Sequence, residues 1–294
     1  MRILFAADDS SGAEHARTLV ASLCIPKGST IRVIRSAGPI PTGENLPDAM
    51  RNEFIATALR SAGEDIQNFA EPLRGAERTV EADALYGRPA SAIIEEAERW
   101  RPDLIVVGAH GRGAVVSAVL GSVGAEVIDH APCPVLVART TAVSSVVVAY
   151  DGSSDADAAC RLVATGIFNA PVRVVSVAHV VEPLSSGVSP TMRNEVMAAR
   201  REELARVREE HESLAKKAAD SLREAGLDVT SEVRVGSAGE EILAAATPAL
   251  ADLIAMGTRG RTGLKRLLLG SVARKVLYGA TCSVLVARGT SGPR

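Results

Sequence analysis

Residues 103–113 read DLIVVGAHGRG, and residues 252–262 read DLIAMGTRGRT. In each, a short apolar run without alternation leads into a glycine, the pattern of a strand buried on both faces that ends in a loop. The segments that follow also correspond: LGSVGAEVIDHAPCPVLVAR at 120–139 lies over LGSVARKVLYGATCSVLVAR at 269–288. Gly108 and Gly257, Gly121 and Gly270, and Cys133 and Cys282 are each 149 positions apart. The beginnings match as well, ILFAADDSSGAEHA at 3–16 over VVVAYDGSSDADAA at 146–159, with Asp8 and Asp151 143 positions apart. A net change of six residues inside the unit reconciles the two offsets. The chain is therefore an internal duplication. The polar stretch Thr140–Ser144 divides it into units of 1–140 and 145–290.

Working outward from these loops, each unit alternates strands and helices. Ile3–Ala7 and Val146–Ala149 read as first strands, and Ser11-x-x-Glu14 and Ser154-x-x-Asp157 as the capping boxes of the helices after them. Ile31–Ile34 and Val172–Val177 are second strands. A helix over 47–73 carries Met50, Phe54, Ala58, Ala62, Ile66 and Phe69 at helical spacing. Its longer counterpart, 191–225, carries Leu204, Val207, His211, Leu214, Ala218 and Leu222, a stripe expected to cover the sheet, with Gly226 as its stop. Strands at Thr79–Leu85 and Val229–Val235 end at Gly87 and Gly236, and each unit closes on an apolar strand, Val135–Ala138 or Val284–Ala287. Those last strands are candidate sheet edges. The alternation predicts an α/β fold, mostly parallel and covered by helices on both faces. Ligands of such sheets bind beyond the carboxyl ends of the strands, where Asp8, Asp151 and both glycine loops stand.

A chain of 294 residues has room for two domains of ~150 residues each. Apolar residues are 47% of it and aromatics only 3%, so the core is expected to be Ala/Val/Leu packing. A formal charge of −2 gives no general reason to expect nucleic acid or an anionic membrane as partner. No apolar run approaches the ~18 residues of a membrane span, the N-terminus has no signal-peptide layout, and four cysteines make no disulfide framework. The expectation is a soluble cytoplasmic protein. The five histidines show no metal-ligand spacing, so no metal site is expected.

The repeated frame is Gly-x-x-Gly, nine residues, then Gly-Ser: Gly108, Gly111, Gly121 and Ser122 in the first unit, Gly257, Gly260, Gly270 and Ser271 in the second. Glycines directly after a buried strand let the backbone turn through positive φ and approach a ligand. The two serines fall at the start of a helix, where free N–H groups and the helix dipole favour an anion. The plainer alternative is that the glycines only close turns and the serines are N-caps. The Walker loop, the Gly-x-Gly-x-x-Gly fingerprint, the nucleophile elbow, His-Glu-x-x-His and Cys-x-x-Cys are all missing from the sequence.

This spacing, with the leading Asp and the LGSV…CPVLV ending, resembles the universal stress protein family in its tandem form, over about residues 2–139 and 145–288. The resemblance implies two adenine-nucleotide α-hydrolase-like (Rossmann-like) domains, each a five-stranded parallel sheet that binds ATP or another adenine nucleotide. It implies that Asp8 and Ser36 in one unit, and Asp151 and Val177 in the other, face the nucleoside. The glycines and serines would hold ribose and phosphates, with Val123 and Val272 beside them and Mg²⁺ entering with the nucleotide. Ser36 departs from the family's usual apolar residue. The resemblance further implies that the last strands pair across a two-fold-like axis, making the chain an internal pseudo-dimer that could pair again as a homodimer. The second loop is the more basic, with Arg259, Arg261, Lys265 and Arg266 against His110 and Arg112 in the first, so the second site is expected to hold phosphate more tightly. No nucleophile or activating base is apparent, so the expected activity is a stress-response sensor or regulator with at most slow ATP hydrolysis. The alternatives are an enzyme of the same fold that spends ATP in hydrolysis or transfer, and a nucleotide-free interaction scaffold.

Overall fold

The computed structural model describes residues 1–38, 47–109, 120–178, 190–247, 249–260 and 269–289, with the backbone alone over 190–200. The first unit runs β1 (Arg2–Ala6), α1 (Ser11–Ser22), β2 (Ser29–Ser36), α2 (Asp48–Ala70), β3 (Arg78–Leu85), α3 (Pro89–Trp100), β4 (Leu104–Gly108), α4 (Ser122–His130) and β5 (Val135–Ala138). The second repeats it as β6 (Val146–Ala149), α5 (Ser154–Ala164), β7 (Val172–Ala178), α6 (Pro190–Glu224), β8 (Val229–Val235), α7 (Ala238–Ala246), β9 (Leu253–Gly257), α8 (Ser271–Gly279) and β10 (Ser283–Ala287).

All ten strands form one sheet in the order β3-β2-β1-β4-β5-β10-β9-β6-β7-β8. Each half is parallel, and the halves meet where β5 and β10 pair antiparallel, Leu136 opposite Leu285. The last strands are thus not edges of the assembled sheet: each apolar strand covers the other, which removes the unpaired ladder that either would expose alone. Alternate strand residues feed two cores. Ile3 and Phe5 of β1 face the side covered by α1, α2, α5 and α6, while Leu4 faces the side covered by α3, α4, α7 and α8.

Two local expectations change and a third holds. The helix caps are Ser10 and Ser153, one residue earlier than the serines of the expected capping boxes. Their hydroxyls accept from the Ala13 and Ala156 N–H groups. The shift follows from the preceding aspartates, whose carboxylates accept the Ser10 and Ser153 backbone N–H groups at 3.1 and 3.0 Å and so hold those residues extended, as an N-cap must be. On α2, Ala62 and Ile66 are buried, but Met50 and Phe54 are about half exposed because the helix overhangs the sheet. On α6 the stripe does cover the sheet through Ala218 and Leu222, and Gly226 at φ +88° ends it, Leu227 N–H donating back to Leu222 O.

Candidate functional site

Two clefts open beyond the carboxyl ends of the strands, one in each unit. The first, about 760 Å³, is lined by Asp8, Ser36, Gly108, Gly121, Ser122 and Val123. The second, about 320 Å³, is lined by Asp151, Val177, Gly257, Arg259, Gly260, Gly270, Ser271 and Val272. Both volumes fall within or near the range of small-molecule sites. Every candidate residue identified from sequence therefore lies on one of the two clefts, except Gly111, which is outside the described residues together with His110, Arg112, Arg261, Lys265 and Arg266.

Gly108, Gly257, Gly260 and Gly270 act by close approach, and among the described motif glycines none has positive φ, contrary to the sequence expectation. A Cβ on Gly108 would lie 2.7 Å from the Gly12 carbonyl carbon and 3.0 Å from the Ala13 nitrogen; one on Gly257 would lie 2.7 Å from Asp155 Cβ. The ends of β4 and β9 thus press against the first turns of α1 and α5. Further along, a Cβ on Gly260 would meet Asp151 Oδ2 at 2.8 Å. That contact brings the loop onto the first-strand carboxylate.

Gly121 and Gly270 are the N-cap positions of α4 and α8, without side-chain caps, so Ser122 and Ser271 are first helical residues rather than N-caps. Gly121 and Gly270 N–H groups donate to Ala109 O and Thr258 O at 3.0 and 2.8 Å, fixing the approach of each loop to its helix. Ser122, Val123 and Gly124, and Ser271, Val272 and Ala273, line the clefts. First-turn N–H groups have no intrahelical acceptor, and with the helix dipole they form an anion-binding end.

Ser36 is explained by its own unit. Its hydroxyl donates to Gly87 O at 2.6 Å and accepts from Gly38 N–H at 3.1 Å, tying the end of β2 to the turn after β3. The hydroxyl is used by the fold, leaving the main chain to form this part of the cleft wall.

Asp155 is the residue that sequence reasoning missed. It is 4% exposed and sits behind the second loop. Its Oδ2 accepts from Thr258 Oγ1, from Arg259 N at 3.2 Å and from Arg259 Nε at 3.3 Å, while Oδ1 accepts from Gly289 N at 2.7 Å. The Arg259 charge is thereby partly neutralised before any ligand arrives. A second cation, Arg288, lies close by; burial first, and then the Arg259 charge, lowers its pKa below the ordinary value. The position equivalent to Asp155 in the first unit is Gly12, which carries no side chain, so no repeated motif could have revealed the staple.

In the first cleft the lining cation is Arg35, gripped by Asp9 through both guanidinium nitrogens at 2.5 Å and reaching Asp65 of α2 at 3.4 Å.

Comparison with known proteins supplies the context for this geometry. The model described as the universal stress protein family matches residues 1–139 and again 143–288. A universal stress protein of Thermus aquaticus is 36% identical over 140 residues, 47% of this chain and 97% of the relative. One of Mycobacterium tuberculosis is 27% identical over 247 residues, 80% of this chain and 76% of the relative. The crystal structure of a universal stress protein from Archaeoglobus fulgidus matches with a TM-score of 0.65 at 20% identity, covering 99% of this chain and 97% of that one, a likeness of fold.

Proposed function

Since the chain belongs to the universal stress protein family, we propose that it binds ATP in two sites, one per unit, and serves as a stress-response sensor or regulator. The observation that carries this reading is the equivalence of the clefts. Asp8, Gly108, Gly121, Ser122 and Val123 line one, and Asp151, Gly257, Gly270, Ser271 and Val272 line the other in the same order. Asp8 with Ser36, and Asp151 with Val177, take the nucleoside. Gly108, Gly111, Gly121 and Ser122, and Gly257, Gly260, Gly270 and Ser271, take ribose and phosphates at the uncapped ends of α4 and α8, with Val123 and Val272 alongside.

Mg²⁺ would enter with the nucleotide and supply partial neutralisation of its phosphate charge. In this reading ATP is held as a signal, with at most slow hydrolysis. The two units act as an internal pseudo-dimer in the cytoplasm.

The test begins with the protein as purified, which is denatured and any released nucleotide identified by chromatography. ATP added to nucleotide-free protein at 100 times its dissociation constant should stabilise the fold by ~2.7 kcal/mol for each site filled. Absence of both retained nucleotide and thermal stabilisation would refute the reading in favour of a nucleotide-free scaffold. Turnover of ATP well above background would instead support the enzyme alternative.

A further inference from the structure

The two clefts share thirteen corresponding lining positions. The first cleft has in addition Arg35, Ala37 and Gly38 at the end of β2 and Ala58, Ser61, Ala62 and Asp65 on α2, and the second has Thr258, Arg259 and Gly260 of its loop. Among the described residues, none of α6 lines the second cleft. The equivalences explain why. Val80 and Val229, which pair with Ile31 and Val172, are 149 positions apart, and Arg74 just after α2 and Arg223 in α6 donate to Val80 O and Val229 O in the same offset. Burial agrees: Ala70 and Leu73 match Ala219 and Leu222, all at 0% exposure. Ala58, Ala62 and Asp65 then stand where Val207, His211 and Leu214 stand in the second unit, and Ala7 stands where Tyr150 does.

In the second unit those larger side chains are placed over the sheet end. His211 Nδ1 bonds the Ser176 hydroxyl at 2.8 Å, Leu214 Cδ2 lies 2.8 Å from where a Cβ on Gly152 would be, and Tyr150 donates to Asp157 at 2.6 Å. In the first unit the same space is bordered by Ala58 and Ala62 together with Arg35, Ser61 and Asp65 and remains part of the cleft, which measures about 760 Å³ against about 320 Å³ for the second. A dry cavity of ~150 Å³ already admits benzene, so the surplus has room for a ring.

We infer that the first cleft takes a purine nucleotide enlarged on its base by a flat, largely apolar substituent, a ligand that the second cleft excludes. This rests on the nucleotide reading above, in which the end of β2 faces the base. The lobe beside that strand end has the matching chemistry. Ala58 and Ala62 give it an apolar floor. Both terminal nitrogens of Arg35 are held by Asp9 and Asp65, which fixes the guanidinium at the cleft wall, and its planar face is a surface that stacks on aromatic rings. Phe54, one turn before Ala58 on α2, is 49% exposed. Exclusion from the second cleft is steric, and Val207, His211 and Leu214 supply it.

The experiment is calorimetry on the full chain with two probes, ATP and N6-benzyl-ATP. The expected stoichiometry per chain is two for ATP and one for the benzyl analogue. In Gly121→Asp, which places a carboxylate at the phosphate end of the first cleft, ATP should fall from two to one and the analogue from one to none. The ATP site that survives in the second unit reports that the variant is folded. Ala62→His, which installs the second unit's residue, should weaken analogue binding at least roughly tenfold. The inference is overturned if the parent binds the analogue at both sites or at neither while binding ATP at two. It is also overturned if Gly121→Asp retains the analogue, or if Ala62→His leaves its affinity intact. Failure of ATP itself to bind the parent would instead strike the nucleotide reading on which the inference stands, and would overturn both.

Discussion

Replacing Asp155 with Ala removes the acceptor that holds the second glycine loop. Four donors converge on this buried carboxylate: the Thr258 hydroxyl, the Arg259 main-chain N–H, the Arg259 Nε and the Gly289 N–H. Hydrogen bonds to a charged group contribute about 1.5–3 kcal/mol each, and they share one acceptor, so they do not add in full. Removing one partner of a buried ionic pair costs about 3–5 kcal/mol because the other is left desolvated and unpaired. Arg259, whose side chain is 23% exposed, recovers part of that from water. The expected loss for Asp155→Ala is therefore about 3 kcal/mol, a large share of the roughly 5–15 kcal/mol by which a domain is stable. Asp155→Asn keeps an acceptor oxygen and should lose less. Urea denaturation followed by circular dichroism measures the loss over both units. Fluorescence of Trp100, the sole tryptophan, follows the first unit and shows whether it shares the transition. A loss below about 1 kcal/mol, the range of a solvent-exposed pair, would refute the staple.

Gly257→Ala should cost about 1–3 kcal/mol by overpacking, since its Cβ would lie 2.8 Å from Ala156 N; an unchanged melting temperature contradicts this. On ATP titration, Gly270→Asp should lose more affinity than Gly121→Asp if the basic second loop holds phosphate more tightly, and the reverse order sinks that assignment. Burial pushes the Cys160 thiol up to about 12 from 9.0, and likewise raises Cys282, so both keep their protons in the folded chain where an unfolded chain has lost them. For Cys160 the unfolded state then binds fewer protons between about pH 9 and 12, and stability should fall through that window by up to ~1.4 kcal/mol per pH unit, with Cys282 acting in the same direction. A flat profile there denies the shift. At pH 8 a thiol reagent should label exposed Cys24 first and reach Cys160 and Cys282 only on unfolding; early labelling of Cys160 would contradict its burial.

Much of this architecture could be read in advance because its signals are local. LIVV at 104–107 and VLVA at 135–138 have no polar alternation, and the strands they form are buried on both faces. Duplicated spacing located the loops, and the parallel sheet brought Asp8 and Asp151 to them. What escaped depends on partners distant in sequence. Nothing near Asp155 announces that Thr258 and Gly289 will surround it. Helical periodicity put Met50 and Phe54 with Ile66 on one face, but periodicity does not say how far a helix overhangs its sheet. The glycine frame was recognised by its spacing, yet the physical reason for its leading glycines, Gly108 and Gly257, lies in the first turns of α1 and α5, some hundred residues earlier.

The pattern of divergence between the units follows from where each element sits. The most similar blocks, 103–113 with 120–139 and 252–262 with 269–288, build β4, α4, β5 and β9, α8, β10, the centre of the ten-stranded sheet. There each unit is part of the other's packing. Arg139 beyond β5 donates to Leu277 O at 2.7 Å, in the last turn of α8, and Arg288 beyond β10 donates to Asp129 O at 3.0 Å, in the last turn of α4. Both cations complement the negative ends of helices whose positive ends form the clefts. A change in either block must be accommodated by both halves at once. The helices α2 and α6 cover β2, β3 and β7, β8, the outer strands, and among the described residues their main contacts are with their own unit. That is where Ala62 stands against His211 and Asp65 against Leu214, and where the two clefts part in size. The phosphate end of each cleft is built from the constrained centre and the opposite end from the free periphery. Divergence in what the base end admits, with the phosphate frame preserved, is the outcome that this sheet order favours.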